Sequence, residues 1–417
     1  MAQLSDDCFA FGGALMPAAE ALERIRTAPL NLPPVETVAL AEAAGRILAA
    51  PLIAARDVPP HDNAAVDGYA VAFADLATDA PTALPVGGRA AAGHPLDRAA
   101  RRGEAIRIFT GAPMPDGADT VLMQEDCRES GGSVSLPPGI KRGANRRKRG
   151  EDVAAGSEAL AAGTRLRPQE IGLAASLGRT ELPVYARLKV ALFSTGDEVR
   201  EPGAELPPGA IYDANRYALA ALLRGLGCAV SDLGILPDRA GAVRSAIGTA
   251  AAAHDLVVTS GGVSAGEEDH VKAAIEALGK LHFWRLAIRP GRPAAMGQVK
   301  GVPFIGLPGN PVAVMVTALL LARPLILRLQ GAREIAPRLY RVSAGFAYQK
   351  KASRAEYLRA RLERGGDGGW TAQKFARDGA GILSSMVASD GLVVIDAGVT
   401  SVAPGAPVDF LPFSEVL

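Results

Sequence analysis

The sequence predicts a multidomain α/β plus β protein, and three observations support this fold class. Residues 187–330 alternate apolar, strand-like runs with helix-like segments, which is typical of a doubly wound, mostly parallel sheet. Residues 55–145 and 331–417 instead contain short β-rich runs separated by Gly and Pro turns. A chain of 417 residues is long enough for about two to four such domains.

The N-terminal part is predicted to be helical. Residues 14–31 place Ala18, Leu22 and Ile25 at the spacing of one helix face. Residues 35–50 contain a second helical stretch, which ends near the prolines and glycines that follow it. Partly helical sequence returns after the first β-rich segment, so that segment is predicted to be an insertion.

These changes of pattern divide the chain into four predicted domains. They are an N-terminal helical/linker domain (1–54 with 146–186), an inserted β domain (55–145), a central α/β domain (187–330) and a C-terminal β-barrel (331–417). The inserted domain is expected to contain strands at 68–73, 105–109, 120–124 and 133–136. The C-terminal domain is expected to contain strands at 339–346, 392–395 and 408–411, and a possible amphipathic element at 354–362.

The central domain has the clearest alternation. Its strands are predicted at 188–193, 228–236, 255–259, 281–288 and 302–306. Its helices are predicted at 215–226, 239–253 and 270–278, with another that begins at Pro311. In such a sheet, ligands bind outside the carboxyl ends of the strands, so the loops at that edge are the place to look for a site.

Composition and charge exclude several classes of function. The net charge of +1 gives no electrostatic reason to expect nucleic acid or a membrane as a partner. Three widely spaced cysteines, Cys8, Cys127 and Cys228, have no metal-ligand spacing and favour a reduced, cytoplasmic protein. The longest apolar stretch, 312–322, is too short to cross a bilayer and indicates a buried helix.

Four loops rich in Gly, Pro or polar residues follow predicted strands of the central domain. The segment 260–269 contains Gly261 and Gly262, whose backbone N–H groups can approach an anion closely. It ends in three acids that would repel a phosphate unless a cation lies between them. This loop therefore predicts phosphate chemistry with a divalent metal. The other three loops are 194–198, 289–293 and 307–311.

The charged residues of these loops form an acidic and a basic set. The acids suit Mg²⁺, which favours a few carboxylates together with substrate phosphates, and the arginines suit phosphate and other oxyanions. We expect Arg285 and Arg289 to share one strand face, because their separation is even. The alternative is a solvated rim of ion pairs, each worth about 0–1 kcal/mol. The two sets are Asp197, Glu198, Glu267, Glu268 and Asp269, and Arg285, Arg289 and Arg292.

Other polar segments are ambiguous when each is considered alone. The segments 61–70 and 106–115 are typical of turns next to strands. The basic run 141–150 lacks interleaved aromatic residues, so a solvated loop or a contribution to an anion site is favoured over nucleic-acid binding. The five histidines show no metal-ligand spacing.

Taken in order, these segments resemble the molybdopterin molybdenumtransferase family, which includes the E domain of gephyrin. The resemblance implies four domains, an elongated homodimer with the site between protomers, and a central domain similar to the molybdopterin adenylyltransferases. It also implies a reaction in which molybdate is inserted into adenylylated molybdopterin and AMP leaves with the help of Mg²⁺. The matching segments are 62–70, 110–113 with 121–125, 149–152, 193–198, 211–215, 260–269, 284–293 and 307–311.

The resemblance and the loop chemistry together define a candidate site. Asp62 and Thr110 are expected to help position molybdate or the dithiolene end of the pterin. The catalytic set is Asp62, Thr110, Glu198 and Asp269, and the metal ligands are Glu198, Asp238 and Asp269. The substrate-binding set is Asp152, Ser260, Gly261, Gly262, Ser264, Arg285, Arg289, Pro308, Pro311 and Arg359.

This sequence departs from the family pattern at two places. Arg285 and Arg289 stand where many members have lysine, so the positive charge is kept but the compact ammonium is lost. Ala380 stands where members commonly have serine. Two other functions remain open at this point, an adenylyltransferase that makes the adenylylated pterin and a non-enzymatic scaffold. Possible partners are the adenylyltransferase and the enzymes that accept the cofactor.

Overall fold

A computed structural model describes residues 15–28, 31–262, 270–365 and 368–417. The first helix, α1 (Ala18–Thr27), is shorter than predicted, and it buries Ala21 and Ile25. The second predicted helix, in residues 35–50, is wrong: the chain forms the strand Val35–Ala39 and a single 3₁₀ turn, Leu40–Glu42. The strand pairs antiparallel with Glu181–Tyr185, so a partner distant in sequence overrides the local helical pattern.

The chain leaves and re-enters this N-terminal region along paired strands. Leu52–Ile53 pairs with Glu158–Leu160, and Asn63–Ala64 pairs with Arg146–Arg147. The helix α2 (Pro168–Ser176) follows the return of the chain. These ladders support the predicted insertion, while the boundaries assigned to the four domains remain a prediction.

The inserted segment forms a six-stranded sheet. All four predicted strands are present, and Thr82–Ala90 and Arg128–Ser130 are additional. The face that carries Ala70, Ile106 and Ile108 is fully buried, which fixes the register of the sheet. The strand order is Thr120–Met123, Gly68–Val71, Ala105–Ile108, Thr82–Ala90, Ser133–Leu136 and Arg128–Ser130.

The central sheet has six strands and is mostly parallel, as predicted. Pro293–Val299, a strand that the sequence did not predict, runs antiparallel to both of its neighbours. The carboxyl ends of the other five strands therefore meet at one edge of the sheet. The order is Ala229–Leu236, Lys189–Thr195, Leu256–Ser260, Val302–Leu307, Pro293–Val299 and Gly279–Arg285.

The strand predicted at 281–288 is divided into two, which corrects one expectation about the arginines. Arg285 ends the central strand Gly279–Arg285, whereas Arg289 lies in Ile288–Arg289, which pairs with the C-terminal strand Ala355–Arg364. The two arginines therefore do not share a strand face, because the chain crosses from one sheet to another between them.

Helices cover both faces of the central sheet. Residues of α3 (Ala214–Gly225) pack on one face, and residues of α4 (Ala240–Ala253) and α5 (His270–Leu278) pack on the other. The two helices α6 (Pro311–Thr317) and α7 (Arg323–Leu329) continue through a π-helical turn, Ala318–Ala322, on the same face as α3.

The segment Pro311–Leu329 is longer than the apolar stretch noted in the sequence. By length and composition alone it could cross a membrane. However, 83% of its most apolar window is buried inside the protein, where it packs with α1 and α3. It is therefore a core helix, as the sequence predicted.

The C-terminal segment forms the predicted β-barrel. The segment 354–362, predicted as an amphipathic element, belongs to the strand Ala355–Arg364, which pairs with a strand on either side and closes the barrel. A short helix, α8 (Ser384–Val387), precedes the last two long strands. The order around the barrel is Ala355–Arg364, Trp370–Lys374, Tyr340–Ala344, Pro407–Pro412 and Gly391–Ile395.

Candidate active site

Hydrogen bonds join the loops at the carboxyl edge of the central sheet. The Ser260 hydroxyl donates to the carbonyl of Pro308 at 3.3 Å, and the Asn215 amide donates to the carbonyl of Gly309 at 2.7 Å. The loop 308–311 is therefore held from two sides. Its last residue, Pro311, begins α6, where the missing N–H of proline costs no helical hydrogen bond.

The glycines after Ser260 are required by the backbone and by close packing. Gly261 and Gly262 have φ values of +85° and +67°. A Cβ atom on Gly261 would lie 2.5 Å from the carbonyl oxygen of Thr195, and one on Gly262 would lie 2.5 Å from Cγ2 of Val271. The predicted site residues Ser264 and Asp269, with Glu267 and Glu268, lie outside the described residues.

A small cavity lies beside these glycines, and we call it the Glu198 cavity. Its volume is about 80 Å³, and its walls include Glu198, Ser260, Gly261 and Pro311 from the predicted site. Glu198 is exposed, and its backbone carbonyl accepts a hydrogen bond from the N–H of Ile211. The remaining walls are formed by Ser194, Thr195, Val199, Ile211, Tyr212, Asp213, Ala214, Asn215 and Gly309.

Two hydroxyl groups in the wall of the Glu198 cavity are buried. Ser194 and Thr195 are 2% and 4% exposed, and their side-chain oxygens have no hydrogen-bond partner among the described residues. Buried polar atoms normally find a partner, so these oxygens are available to a ligand that brings one.

A buried ion network supports the segment 196–213, which connects the strand Lys189–Thr195 to α3 and carries Glu198. Arg216, in α3, is 4% exposed. Its guanidinium donates to Glu201, three positions after Glu198, to Asp213 at the start of α3 and to Asp232 in the strand Ala229–Leu236. The same side chain therefore connects the loop that carries Glu198 with the strand that leads to Asp238.

The predicted metal ligands are only partly visible. Asp238 is half-buried and follows the strand Ala229–Leu236. Within the ranges that the structure describes, no group of three or more His, Cys, Asp or Glu side chains could hold a metal ion. Because Asp269 lies outside those ranges, the set of Glu198, Asp238 and Asp269 remains a prediction.

A second cavity of about 310 Å³ lies between the central domain and the barrel, and we call it the arginine cavity. Arg289, Arg292 and Arg359 line it, and Pro308 and the first turn of α6 complete the central-domain side. Arg359 is 5% exposed, and burial lowers the pKa of its guanidinium. The remaining lining residues are Pro290, Gly291, Pro293, Asn310, Ala313, Tyr348, Glu356, Tyr357, Leu358, Asp378 and Ala380.

Two of the three arginines of this cavity make polar contacts with barrel residues. Arg359 donates to the Ser385 hydroxyl at 3.0 Å and to the carbonyls of Arg377 and Gly379. Arg289 lies 3.6 Å from a carboxylate oxygen of Glu356. The cavity is therefore lined by two exposed guanidinium groups, those of Arg289 and Arg292, and by the buried one of Arg359. The carbonyl of Ala380 accepts the N–H of Val312 at 2.9 Å, which joins the barrel to α6.

Sequence reasoning missed the acidic part of this cavity. Tyr348, Glu356 and Asp378 lie on different segments of the barrel, and no local motif relates them to Arg289. Burial raises the pKa of the Tyr348 hydroxyl, which also donates to Glu356. The sequence offered one indication of this cavity, the match of Arg359 to the family's pattern, which predicted that the barrel lies next to the substrate.

The β-domain residues of the predicted site form a separate group. Asp62 accepts the N–H of Arg149 at 2.8 Å and lies 3.4 Å from the guanidinium of Arg146. Asp152 is exposed, and its N–H donates to the carbonyl of Val58. The basic run 141–150 thus contributes directly to the surroundings of Asp62.

Thr110 has a partner that the sequence did not single out. Both the N–H and the hydroxyl of Thr110 lie 2.7 Å from the same carboxylate oxygen of Asp67. These hydrogen bonds, first from the backbone and then from the hydroxyl, lower the pKa of Asp67. Arg285, the last predicted residue, is half-buried, and its carbonyl accepts the N–H of Met16 at 3.2 Å.

Comparisons with known proteins agree with this architecture along the chain. Three family models match, with the descriptions "MoeA N-terminal region (domain I and II)" at residues 16–178, "Probable molybdopterin binding domain" at 191–328 and "MoeA C-terminal region (domain IV)" at 341–413. A molybdopterin molybdenumtransferase of Haemophilus influenzae is 39% identical over 384 residues, which are 92% of this chain and 95% of that protein. One of Nostoc sp. is 36% identical over 382 residues, 89% of this chain and 87% of that protein.

Solved structures show the same fold. A molybdopterin biosynthesis moeA protein from Pyrococcus horikoshii OT3 has a TM-score of 0.81 at 28% identity, over 95% of this chain and all of that one (100%). A second Pyrococcus structure of a moea protein has a TM-score of 0.73 at 33% identity, over 96% and 99% of the two chains. The architecture, the ordered motifs and these matches together show that the chain belongs to the molybdopterin molybdenumtransferase family, a family of transferases in molybdenum cofactor biosynthesis.

Proposed function

We propose that the protein is a molybdopterin molybdenumtransferase that inserts molybdate into adenylylated molybdopterin, with Mg²⁺-dependent release of AMP. Molybdate and the pyrophosphate of the pterin nucleotide are both anions. A site for this reaction must therefore hold two negatively charged groups close together while it limits their repulsion.

The arginine cavity is the observation that carries this proposal. Arg289, Arg292 and Arg359 converge on one cavity, and the N-terminal turn of α6 adds the positive end of a helix dipole. Arginine forks match tetrahedral oxyanions in geometry as well as in charge. Because Arg359 is buried and fixed by three hydrogen bonds, it needs little reorganisation when an anion binds.

The residues of the Glu198 cavity fit a hard cation. The exposed carboxylate of Glu198 and the buried, unpaired hydroxyl oxygens of Ser194 and Thr195 are all oxygen donors. Mg²⁺ favours one or two carboxylates with phosphate and water oxygens as the other ligands. We therefore assign Glu198, with Asp238 or Asp269, to Mg²⁺, which when bound would neutralise charge on the bridging phosphate.

The residues of the chain then have distinct roles. Arg289 and Arg359 bind and orient the anions, together with Arg285 at the end of the strand Gly279–Arg285. The amide of Gly262 approaches the phosphate closely, because this residue lacks a Cβ atom. The N–H of Gly261 instead donates to the carbonyl of Leu307 at 3.1 Å, so Gly261 contributes the shape of the turn. Pro308 and Pro311 hold the loop between the two cavities, and Ser264 belongs to the same phosphate-binding segment.

The β domain supplies the remaining groups of the proposed site. Asp62, Thr110 and Asp152 make their described contacts within the N-terminal half of the chain. We infer that they complete the site of a partner protomer in a homodimer. The proposed enzyme is cytoplasmic, with no nucleic acid or membrane partner, and it contacts the adenylyltransferase or the enzymes that accept the cofactor.

The test is a reaction with purified protein, adenylylated molybdopterin and Mg²⁺, in which molybdate and then tungstate are titrated while AMP is followed. We expect molybdate-dependent release of AMP. Arg289→Ala should raise the KM for molybdate about tenfold, because a charge-assisted contact is lost from an exposed side chain. Release of AMP without molybdate, or consumption of ATP instead, would contradict the proposal.

Arg341→Ala is the matched control. Arg341 is also an exposed barrel arginine with one carboxylate partner, Asp409 at 3.3 Å, but it does not line the arginine cavity. Its substitution should leave the KM for molybdate within about twofold of the unsubstituted protein. An equal effect of both substitutions would mean that general surface charge, and not the cavity, attracts the anion.

A further inference from the structure

The hydroxyl of Thr110 is fixed in one orientation. Thr110 is exposed in the turn that follows the strand Ala105–Ile108, and its hydroxyl oxygen lies 2.7 Å from Oδ1 of Asp67. A carboxylate only accepts hydrogen bonds, so the single hydroxyl proton of Thr110 must point to Asp67. The lone pairs of this oxygen are then the only groups that it can offer to a ligand.

This orientation is wrong for an oxyanion. Molybdate and phosphate present oxygen lone pairs, which need a donor, and here they would meet other lone pairs. The carboxylate of Asp67 adds negative charge, and the N–H and hydroxyl of Thr110 lower the pKa of that group. A ligand group at Thr110 must therefore be a hydrogen-bond donor or a cation.

The neighbouring side chains favour a neutral donor over a cation. The guanidinium groups of Arg89 and Arg107 lie 4.6 Å and 4.7 Å from the ring centroid of Phe109, the residue before Thr110. Strand pairing places Arg107 opposite both Arg89 and Tyr69, on one face of the sheet. Two arginines disfavour a metal ion, whereas the flat guanidinium of the exposed Arg89 can stack on an aromatic ring.

We propose that Thr110, Asp67 and the stack of Arg89, Phe109 and Arg107 form a binding site for a planar heterocycle that donates an N–H group to the Thr110 hydroxyl. This inference rests on the proposed function, in which the heterocycle is either the pterin or the adenine of the adenylylated substrate. Asp67 is a positioning residue, because it acts through the hydroxyl that it orients. Thr110 then recognises a ring system, and the oxyanions bind at the arginines.

The experiment measures direct binding to the full-length protein by isothermal titration calorimetry, with pterin, AMP and molybdate as separate probes. Thr110→Val keeps the shape of the side chain but removes the acceptor, and it should weaken heterocycle binding about fivefold. Thr110→Ser restores the acceptor and should bind within about twofold of the unsubstituted protein. Arg89→Ala should weaken binding about threefold through the lost stacking.

A matched control is available in the same domain. The hydroxyl of Thr82 accepts the N–H of Ala77 at 2.8 Å, away from this stack. Thr82→Val should therefore leave all three affinities unchanged. If Thr110→Val does not fold, as judged by thermal unfolding, Thr110→Ala replaces it.

The probes separate the possible outcomes. Weaker binding of pterin alone, or of AMP alone, supports the site and identifies which ring it holds. Three outcomes would overturn the inference. In the first, the Thr110→Val protein binds both rings as well as before; in the second, the unsubstituted protein binds neither ring; in the third, only the binding of molybdate is weakened. A failure of the proposed function is a separate result, because it is decided by whether the unsubstituted protein releases AMP.

Discussion

Arg216 shows how one buried residue can control the geometry of a site that it does not line. Its side chain is 5% exposed, and its carboxylate partners come from a loop, a helix start and a strand. A buried guanidinium that loses such partners is costly, and so are carboxylates that lose the guanidinium. The position of Glu198 therefore depends on the charge balance of this ion network.

Substitution of Arg216 tests this dependence. Arg216→Leu should lower the free energy of unfolding by about 3 kcal/mol, because Asp213 is left buried without its partner. Arg341→Leu, which breaks an exposed ion pair, should cost less than about 1 kcal/mol. Urea unfolding of both variants provides the comparison, and equal losses would contradict the role assigned to the buried network.

The effect should also depend on pH. Burial by itself raises the pKa of Asp232. Hydrogen bonds from Arg216 and from the N–H of Gly234 lower it by more than this, so the pKa of Asp232 lies below its ordinary value. A lowered pKa stabilises the folded state above the unfolded pKa, and this contribution disappears as the pH falls through the folded pKa. The difference between Arg216→Leu and the unsubstituted protein should therefore shrink in acid.

At the scale of residues, the sequence identified groups that belong to loops and missed those that act through distant contacts. Glu198, Ser260 and Pro311 were recognisable because each follows a predicted strand, and the structure brings them to one cavity. Asp67 was not singled out, because its role depends on a hydrogen bond to Thr110, 43 positions away. Local patterns contain no information on such a pair.

At the scale of elements, the turn after the strand Leu256–Ser260 shows why glycine is needed at a particular place. Gly261 has φ of +85°, and an added Cβ would lie 2.5 Å from a backbone carbonyl oxygen that cannot easily move. Gly301 has the same φ, but no heavy atom lies within 4 Å of its added Cβ. A comparison of Gly261 with Gly301 therefore separates two contributions to the free energy of unfolding: strain of a left-handed backbone and steric overlap of the added Cβ atom.

Alanine substitutions at these two glycines should have different effects. Gly301→Ala should cost about 1 kcal/mol, the penalty for a left-handed backbone with a side chain. Gly261→Ala should cost about 3 kcal/mol, because overpacking is added to that penalty. Denaturant unfolding measures both values, and equal costs would show that the turn at Gly261 relaxes without loss.

The central strands and helices were predictable because their apolar runs are long and their periodicity is strong. The predicted helix α5, at 270–278, agrees at both ends with the structure. The helix α3 differs from its prediction by one residue at each end, and α4 by one residue at its start. The helix predicted in 35–50 is wrong, because Val35–Ala39 is stabilised by pairing with Glu181–Tyr185. The break between Arg285 and Arg289 was missed for the same reason, since each flanking strand pairs with a different sheet.

At the scale of the whole molecule, the proposed homodimer makes a quantitative prediction. If Asp62 of one protomer completes the site that contains Glu198 of the other, Asp62→Ala and Glu198→Ala should each abolish AMP release. After the two inactive variants are mixed and allowed to exchange subunits, random pairing makes about half of the dimers mixed, and each mixed dimer has one intact site. About one quarter of the original rate should therefore return.

Mixing Glu198→Ala with Arg289→Ala is the control for this experiment. Both residues lie at the same edge of one chain, so each site of a mixed dimer carries one of the two substitutions and none is intact. Subunit exchange should therefore leave the AMP release of this mixture unchanged. Failure of the Asp62 and Glu198 mixture to recover any activity would place both residues in the site of a single chain.

The loop 308–311 forms part of the walls of both cavities, with Pro308 in one and Gly309 and Pro311 in the other. Because the loop is shared, ligand binding in the Glu198 cavity and ligand binding in the arginine cavity are thermodynamically coupled. Any ligand that displaces the loop from one cavity changes the volume of the other. By linkage, the second ligand must then alter the affinity for the first by the same factor, so the order in which the anion and the cation bind does not change the final coupling.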